Sequence, residues 1–287
     1  MSRDAQNCAK GRETMETSRR IGTLNVVQHA IAGSLRAVVV KSAHVVCVAA
    51  VSMLPLVAIA EAQSIDAART AYIEGRFLET AELAESLGTS EGFALASRSV
   101  AVQAYYISGD DEKEALFERA LALAQEAVRS DPDSPQAYIQ LSHVMGRHGQ
   151  TIGMLESASK GYADKIRDAV ENALRLSPEM PEAHLSMGMW HSEVVSSLGS
   201  FMADMMFGAD EDDAIEFYER ALEGAPEEKI VPLEYAIGLL DLDDDDYREQ
   251  ARRLLQRAIE LPVKDAYDDL IHQKAVETLA ALDSLGD

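Results

Sequence analysis

The stretch P-E-A-H-L-S-M-G-M-W, Pro181–Trp190, followed after an apolar insert by A-I-E-F-Y-E-R-A-L-E-G-A-P, Ala214–Pro226, decides the fold class. In both halves apolar and small residues recur three and four apart, the period of an amphipathic helix. Pro181 sits where a helix starts, and Gly224-Ala225-Pro226 where one stops. Gly188 in the first half and Ala214 and Ala221 in the second, seven residues apart, put small side chains on one face of each helix. Two such faces pack closely, so the stretch predicts a helical hairpin.

Weaker copies flank it on both sides. From Ser64 the helical period runs to a turn at Gly75 and a stop at Gly88. A second hairpin pairs Phe93–Ile107 with Glu114–Ser130 through Ser108-Gly109-Asp110, and Asp131-Pro132 ends it, since proline cannot extend a helix interior. A third starts at Pro135, reaches Gly149, and closes with Lys165–Leu176 before Ser177-Pro178. The fifth begins near Pro232, turns through Asp241–Asp246 and ends at Pro262. A last helix, Ala266–Leu285, is expected to cap the open end of the stack. The expected fold is therefore all-α, a solenoid of about five hairpins with inserts and a C-terminal capping helix.

The paired small residues resemble those of the tetratricopeptide repeat. Ala127, Ala173, Ala221 and Ala258 take the closing alanine position, at spacings of 46, 48 and 37 residues, against about 34 in a plain repeat. The excess lies between the helices of the third and fourth hairpins, in Q-T-I-G-M-L-E-S-A-S-K-G-Y-A-D (Gln150–Asp164) and V-V-S-S-L-G-S-F-M-A-D-M-M-F-G-A-D (Val194–Asp210). Both are apolar enough to be ordered additions that lengthen a helix or pack across the stack. With A-V-E-N-A-L-R-L-S-P-E-M-P-E-A-H (Ala169–His184), G-M-W-H-S-E-V (Gly188–Val194) and the M-M-F-G at Met205–Gly208, the chain from roughly residue 137 to 282 resembles the regulator of microtubule dynamics family. That resemblance implies a helical-repeat protein that interacts and has no catalytic centre. The second resemblance is to the T-component of tripartite ATP-independent periplasmic transporters, also an exported helical-repeat protein.

Residues 1–62 read as a leader. Its apolar core, residues 45–60, is preceded by Arg36 and Lys41 and followed by small residues suited to cleavage before Gln63, leaving 63–287 as the helical-repeat domain. Sixteen residues containing Pro55 are short for a span of ~30 Å of hydrocarbon. The expected location is periplasmic, the alternative an inner-membrane anchor, with membrane contact only if the leader is retained. Beyond residue 62 there are 19 basic and 45 acidic residues, a net −26. A body so acidic repels nucleic acid and anionic lipid. Cys8 and Cys47 both fall in the leader, so no thiol chemistry is open to the body.

No catalytic motif, cofactor fingerprint or metal signature is present, so the chain reads as non-enzymatic, without cofactor or metal. Counted as a calcium loop, Asp241 onwards puts Asp246 where glycine is needed and Arg252 where a bidentate glutamate is needed, so a helix-capping acidic turn is the better reading. Eight of the 11 methionines lie between Met145 and Met206, near His143, His148, His184 and His191. Met202, Met205 and Met206 suggest copper, but the helical spacing favours core packing.

Binding in such solenoids falls to the free faces of the first helices. By spacing these carry Gln103 and Tyr106 in the second hairpin, Ile139, His143 and Arg147 in the third, and Leu185, Met189 and Glu193 in the fourth. The mixed set suits an apolar or helical peptide or a small amphipathic ligand. The chain is thus expected to be an exported adaptor or scaffold for a protein or peptide partner. The alternative is a transporter accessory holding a small ligand in a pocket roofed by Val195–Phe207.

Overall fold

The computed structural model describes residues 65–242 and 247–284. The leader, Leu285 and most of the acidic turn after Asp241 lie outside the described residues. Among those described there are thirteen α-helices and no strand: α1 (65–73), α2 (Phe77–Glu85), α3 (Ser90–Val102), α4 (Asp110–Ser130), α5 (Pro135–Ile152), α6 (Met154–Ser159), α7 (Tyr162–Leu176), α8 (Pro181–Leu198), α9 (Ser200–Phe207), α10 (Glu211–Gly224), α11 (Ile230–Asp241), α12 (Arg248–Glu260) and α13 (Ala266–Ser284).

Their boundaries follow local chemistry. Thr89, Ser134 and Asp210 each accept a backbone N–H of the helix they precede, at Gly92, Ala137 and Asp212 respectively. Proline opens α5 and α8. Buried Lys229 donates 2.5 Å hydrogen bonds to the carbonyls of Ala258 and Leu261, satisfying the end of α12.

The hairpins are α1/α2, α3/α4, α5/α7, α8/α10 and α11/α12. First helices α3, α5, α8 and α11 pack side by side as an inner layer, and each second helix packs against the first helix of the next hairpin. Seven residues into α3, α5 and α8 stand Ser97, Ser142 and Gly188, all buried, and Gly238 takes the equivalent place in α11. Ser97 donates to the Ala120 carbonyl of α4. Tyr218 of α10 is gripped between the two glycines: a Cβ at Gly188 would lie 2.9 Å from its ring, and one at Gly238 2.3 Å from its hydroxyl. Closing alanines Ala127, Ala173, Ala221 and Ala258 are fully buried.

Both inserts are helices, α6 and α9, and both are built the same way. Each is entered through a glycine that needs positive φ, Gly153 at 83° and Gly199 at 78°. The expectation that they pack across the stack fails in detail. Only Ala203 of α9 is buried and nothing of α6 is. Phe201, Met205 and Met206 are exposed, as are Met154 and Leu155, so the core-packing reading of Met202, Met205 and Met206 does not hold. A helix of two turns between two glycine hinges offers one side to the stack, and its apolar side chains lie on the other. Arg167 ties α9 down through the Phe207 carbonyl.

The last helix does more than cap. Along its length α13 packs on α11 and α12. Its first turn returns to the first two hairpins, where Ala266, Tyr267 and Leu270 cluster with Tyr72, Phe77 and Val102. The curvature of five hairpins brings the two ends of the stack within contact, and their apolar faces bury each other. Neither end of the solenoid is left open at this point.

Candidate functional site

Closure turns the inner layer into the wall of a cavity of about 220 Å³ between α3, α5, α8, α11 and the start of α13. Seven of the eight residues placed on the free faces by spacing line it: Tyr106, Ile139, His143, Arg147, Leu185, Met189 and Glu193. Gln103 does not. From Gln103 to Ile107 the helix widens to an i to i+5 pattern, with Ser108 N–H donating to the Gln103 carbonyl, and the Gln103 amide turns to Ser108 Oγ. The extra residue swings Tyr105 and Tyr106 inward together, and both line the cavity. No residue from 195 to 207 lines it, so the expected roof from Val195–Phe207 is absent. The insert leaves the far end of α8, away from the wall.

Several lining residues lie outside the predicted set. Arg98, Tyr105, Gln150, Ser186, Trp190, Glu234 and Tyr267 all face the cavity. Two of them had a signal in the sequence. Arg98 is the one charge inside S-E-G-F-A-L-A-S-R-S-V-A-V beyond its first turn, and Glu234 the one charge inside I-V-P-L-E-Y-A-I-G-L-L. A lone charge inside an apolar helix must face either a partner or a cavity. Tyr267 had none, because its place depends on the ring closing.

The polar lining falls into two groups. Arg147 of α5 reaches across the cavity to Glu234 of α11 at 2.5 Å. The same guanidinium donates to Tyr105 Oη and Gln150 Oε1 and lies 4.4 Å from the Tyr105 ring centre. Gln150 in turn donates to Glu193. Burial pushes the Glu193 carboxyl above its ordinary range. Burial, with Glu193 and Glu234 nearby, pushes Asp241 up to about 6. Arg147 is therefore fully engaged and surrounded by acid.

His143 stands beside them, 2.8 Å from Ser186 Oγ. The Ser186 hydroxyl has one proton, which it gives to the Glu182 carbonyl, so His143 Nε2–H donates and Nδ1 carries the lone pair. The pair has the spacing of a nucleophile and its base. Its chemistry is wrong for that role. Burial, with Arg147 and Arg98 nearby, holds His143 down to about 3, too weak a base to deprotonate serine near neutrality. Among the described residues no carboxylate makes an ion pair or hydrogen bond with the imidazole.

Arg98 forms the second group. Its guanidinium lies 5.2 Å from the Tyr72 ring centre and 5.1 Å from that of Tyr267. Tyr267 also meets Tyr106 edge to face at 6.0 Å. This aromatic seam joins α1, α3 and α13.

The other sequence candidates are structural. His148 Nδ1 is 2.9 Å from Tyr162 Oη, and His191 Nδ1 accepts the Asp210 N–H. His184 and His191 stack on Phe217. Among the described residues no group of three or more His, Cys, Asp or Glu is arranged to hold a metal ion, and no helix is long and apolar enough to cross a membrane.

Comparison with known proteins agrees with this architecture. A thermophilic TPR protein of Thermus thermophilus, TTC0263, is similar in structure, with a TM-score of 0.53 and 19% identity over 76% of this chain and 99% of that one. Human IFIT1, solved as a dimer with PPP-AAAA, aligns at a TM-score of 0.39 and 14% identity, over 74% of this chain and 55% of that one. No curated protein matches the sequence. The family described as regulator of microtubule dynamics protein 1-3 matches residues 80–283, the tetratricopeptide-like body from α2 to α13. The chain belongs to the regulator of microtubule dynamics protein 1-3 family.

Proposed function

We propose that this helical-repeat protein is an exported, non-enzymatic binding protein that holds a small amphipathic ligand in the cavity of its inner layer. The observation that carries this is the filling of the groove by the protein itself. Arg147 and Glu234 meet across it, Tyr267 closes one side, and about 220 Å³ is left. Ligand pockets run from about 300 to 1,000 Å³. A helical peptide would need an open trough of several turns, whereas this space suits a molecule with one ring or a short branched chain. Its wall combines apolar Ile139, Leu185, Met189 and Tyr106 with a few polar anchors, the composition expected of small-molecule sites. Export rests on the apolar run at 45–60 and the cysteine-free body.

The test uses a residue that faces open space. Gly146 lines the cavity, and a Cβ built there meets nothing within 4 Å. Protein expressed from the full-length chain is to be examined by gentle native mass spectrometry beside Gly146→Phe. The expected result is a bound small molecule in the parent and none in the variant, with equal helicity by circular dichroism. Equal occupancy in both would refute the cavity as the site.

A second reading, docking of a protein partner, is favoured by the exposed apolar side chains of α6 and α9. Leu155, Phe201, Met205 and Met206 are each more than half exposed, a density unusual for a free surface. Partner capture lost on Phe201→Ser with Met205→Ser, but kept by Gly146→Phe, would assign binding to that face.

A further inference from the structure

Arg98 is the one cavity residue whose chemistry the fold leaves unanswered. Its guanidinium lies against the rings of Tyr72 and Tyr267, whose centres are 6.3 Å apart, which accounts for where it lies but not for its N–H edge. A guanidinium carries five N–H donors and stays charged at any ordinary pH. None of them makes an ion pair with a described residue, and the one neighbour within hydrogen-bonding reach is the neutral Tyr72 hydroxyl, whereas Arg147 of α5 engages three acceptors. That hydroxyl is fully buried and has no other partner.

Nothing nearby cancels the charge. Burial pushes the hydroxyls of Tyr72, Tyr106 and Tyr267 upward, so all three remain protonated and neutral. Asp265 is the acid that Arg98 feels at a distance, but it makes no ion pair with it and instead accepts the Asp268 N–H that starts α13. In the other polar group the balance is reversed, with Glu193 and Glu234 around the single Arg147. The lining therefore holds one arginine with no acid of its own and a second arginine in a group rich in acid. An exposed arginine would find its anion in solvent. This one is half-buried in the lining of a pocket inside a body of net charge −26, and a partly desolvated charge without its counter-charge is retained at a loss of stability unless something uses it.

Resting on the cavity reading above, we propose that Arg98 is the anchor for the carboxylate of a small organic monoacid whose aromatic or branched body lies against Tyr106, Leu185 and Met189. A guanidinium held against two tyrosine rings keeps N–H donors for two parallel N–H···O bonds, the arrangement that matches a carboxylate. The Tyr72 hydroxyl adds a donor beside it. The four glutamates elsewhere in the lining, Glu182, Glu193, Glu228 and Glu234, disfavour a second negative charge, which restricts the class to monoacids.

The test compares two probes that share a phenyl body, hydrocinnamate and its neutral amide hydrocinnamide, by titration calorimetry on the full chain. Hydrocinnamate is expected to bind about tenfold or more tightly than the amide, the worth of one charge-assisted pair over a neutral one. In Arg98→Met the ratio is expected to fall to about one, and in Gly146→Phe heat from both probes is expected to disappear. If both probes bind the parent equally, with Gly146→Phe still abolishing binding, the carboxylate anchor is refuted and the cavity stands. If neither binds the parent, both are refuted. The parent comparison needs no variant, so a poorly folding Arg98→Met leaves the outcome decided.

Discussion

Glu234→Gln should destabilise this protein far more than a typical surface ion-pair deletion. The carboxylate side chain is 5% exposed and its partner Arg147 17% exposed. They join helices 87 residues apart in sequence at 2.5 Å. Exposed pairs contribute about 0–1 kcal/mol. Breaking a buried pair by removing one partner costs about 3–5 kcal/mol, because the other charge stays behind without compensation. Here the lower part of that range applies, since Glu193 also lies within electrostatic reach of Arg147. A loss of about 3 kcal/mol in a body of this size lowers the melting temperature by ~6–12 °C. The pair brings no net benefit over apolar residues of equal size, so Arg147→Met with Glu234→Leu should recover to within ~1 kcal/mol of the parent. Thermal unfolding of parent, both single variants and the double variant by circular dichroism gives the coupling directly. A Glu234→Gln protein melting within ~2 °C of the parent would refute the picture of a desolvated strut across the cavity.

Two further predictions concern packing and pH. Gly238→Ala would put a Cβ 2.3 Å from Tyr218 Oη. Tyr218 cannot yield, being stacked on Tyr235 at 4.8 Å, bonded to Ser192 and backed by Gly188. A net loss of about 2 kcal/mol or more is expected, overpacking outweighing the gain of about 1 kcal/mol in helix propensity. Gly146→Ala, with the same propensity gain and open space, should be neutral or stabilising, and equal effects at the two glycines would refute the clamp. For pH, Asp241 is held near 6 in the folded chain against an ordinary 3.8, so folding favours its protonated form. Stability is therefore lost as pH rises from about 4 to about 6 and changes no further above that. Asp241→Asn should raise the melting temperature most at pH 8 and progressively less as pH is lowered towards 4. Because the side chain is partly exposed the effect is smaller than the full linkage conversion, and an identical shift at both pH values would refute the assignment.

The fold was legible because each hairpin declares itself locally. Proline and glycine mark the ends, alanines seven apart mark the crossing, and the apolar period carries the rest. Gly188, Ala214 and Ala221 could be assigned before any coordinates because close packing leaves few choices of residue. The inserts were legible as ordered but not as exposed. Met202, Met205 and Met206 look alike whether they fill a core or decorate its outside, and only the short helix between Gly199 and Gly208 decides between the two. The bend at Gln103–Ile107 was hidden as well, since one extra residue in a helical turn leaves no mark on composition.

The site was half legible for a related reason. Spacing finds residues that share a helix face, so it found seven cavity residues on α3 to α8 and its π turn. It does not find what comes from the far end of the chain. Glu234 and Tyr267 reach the site only because the stack curves until α11 stands across from α5 and α13 meets α1. Curvature is a sum of small rotations at every hairpin, and no local pattern states that sum. Yet lone charges inside apolar helices are legible, and they come in a pair that does not match. Glu234 has its arginine, drawn from a helix face that spacing had already identified. Arg98 has no acid. Had both been structural, the shortest remedy for a chain so rich in carboxylates would have been one more placed beside Arg98; its absence among the described residues leaves the charge available to whatever enters the cavity.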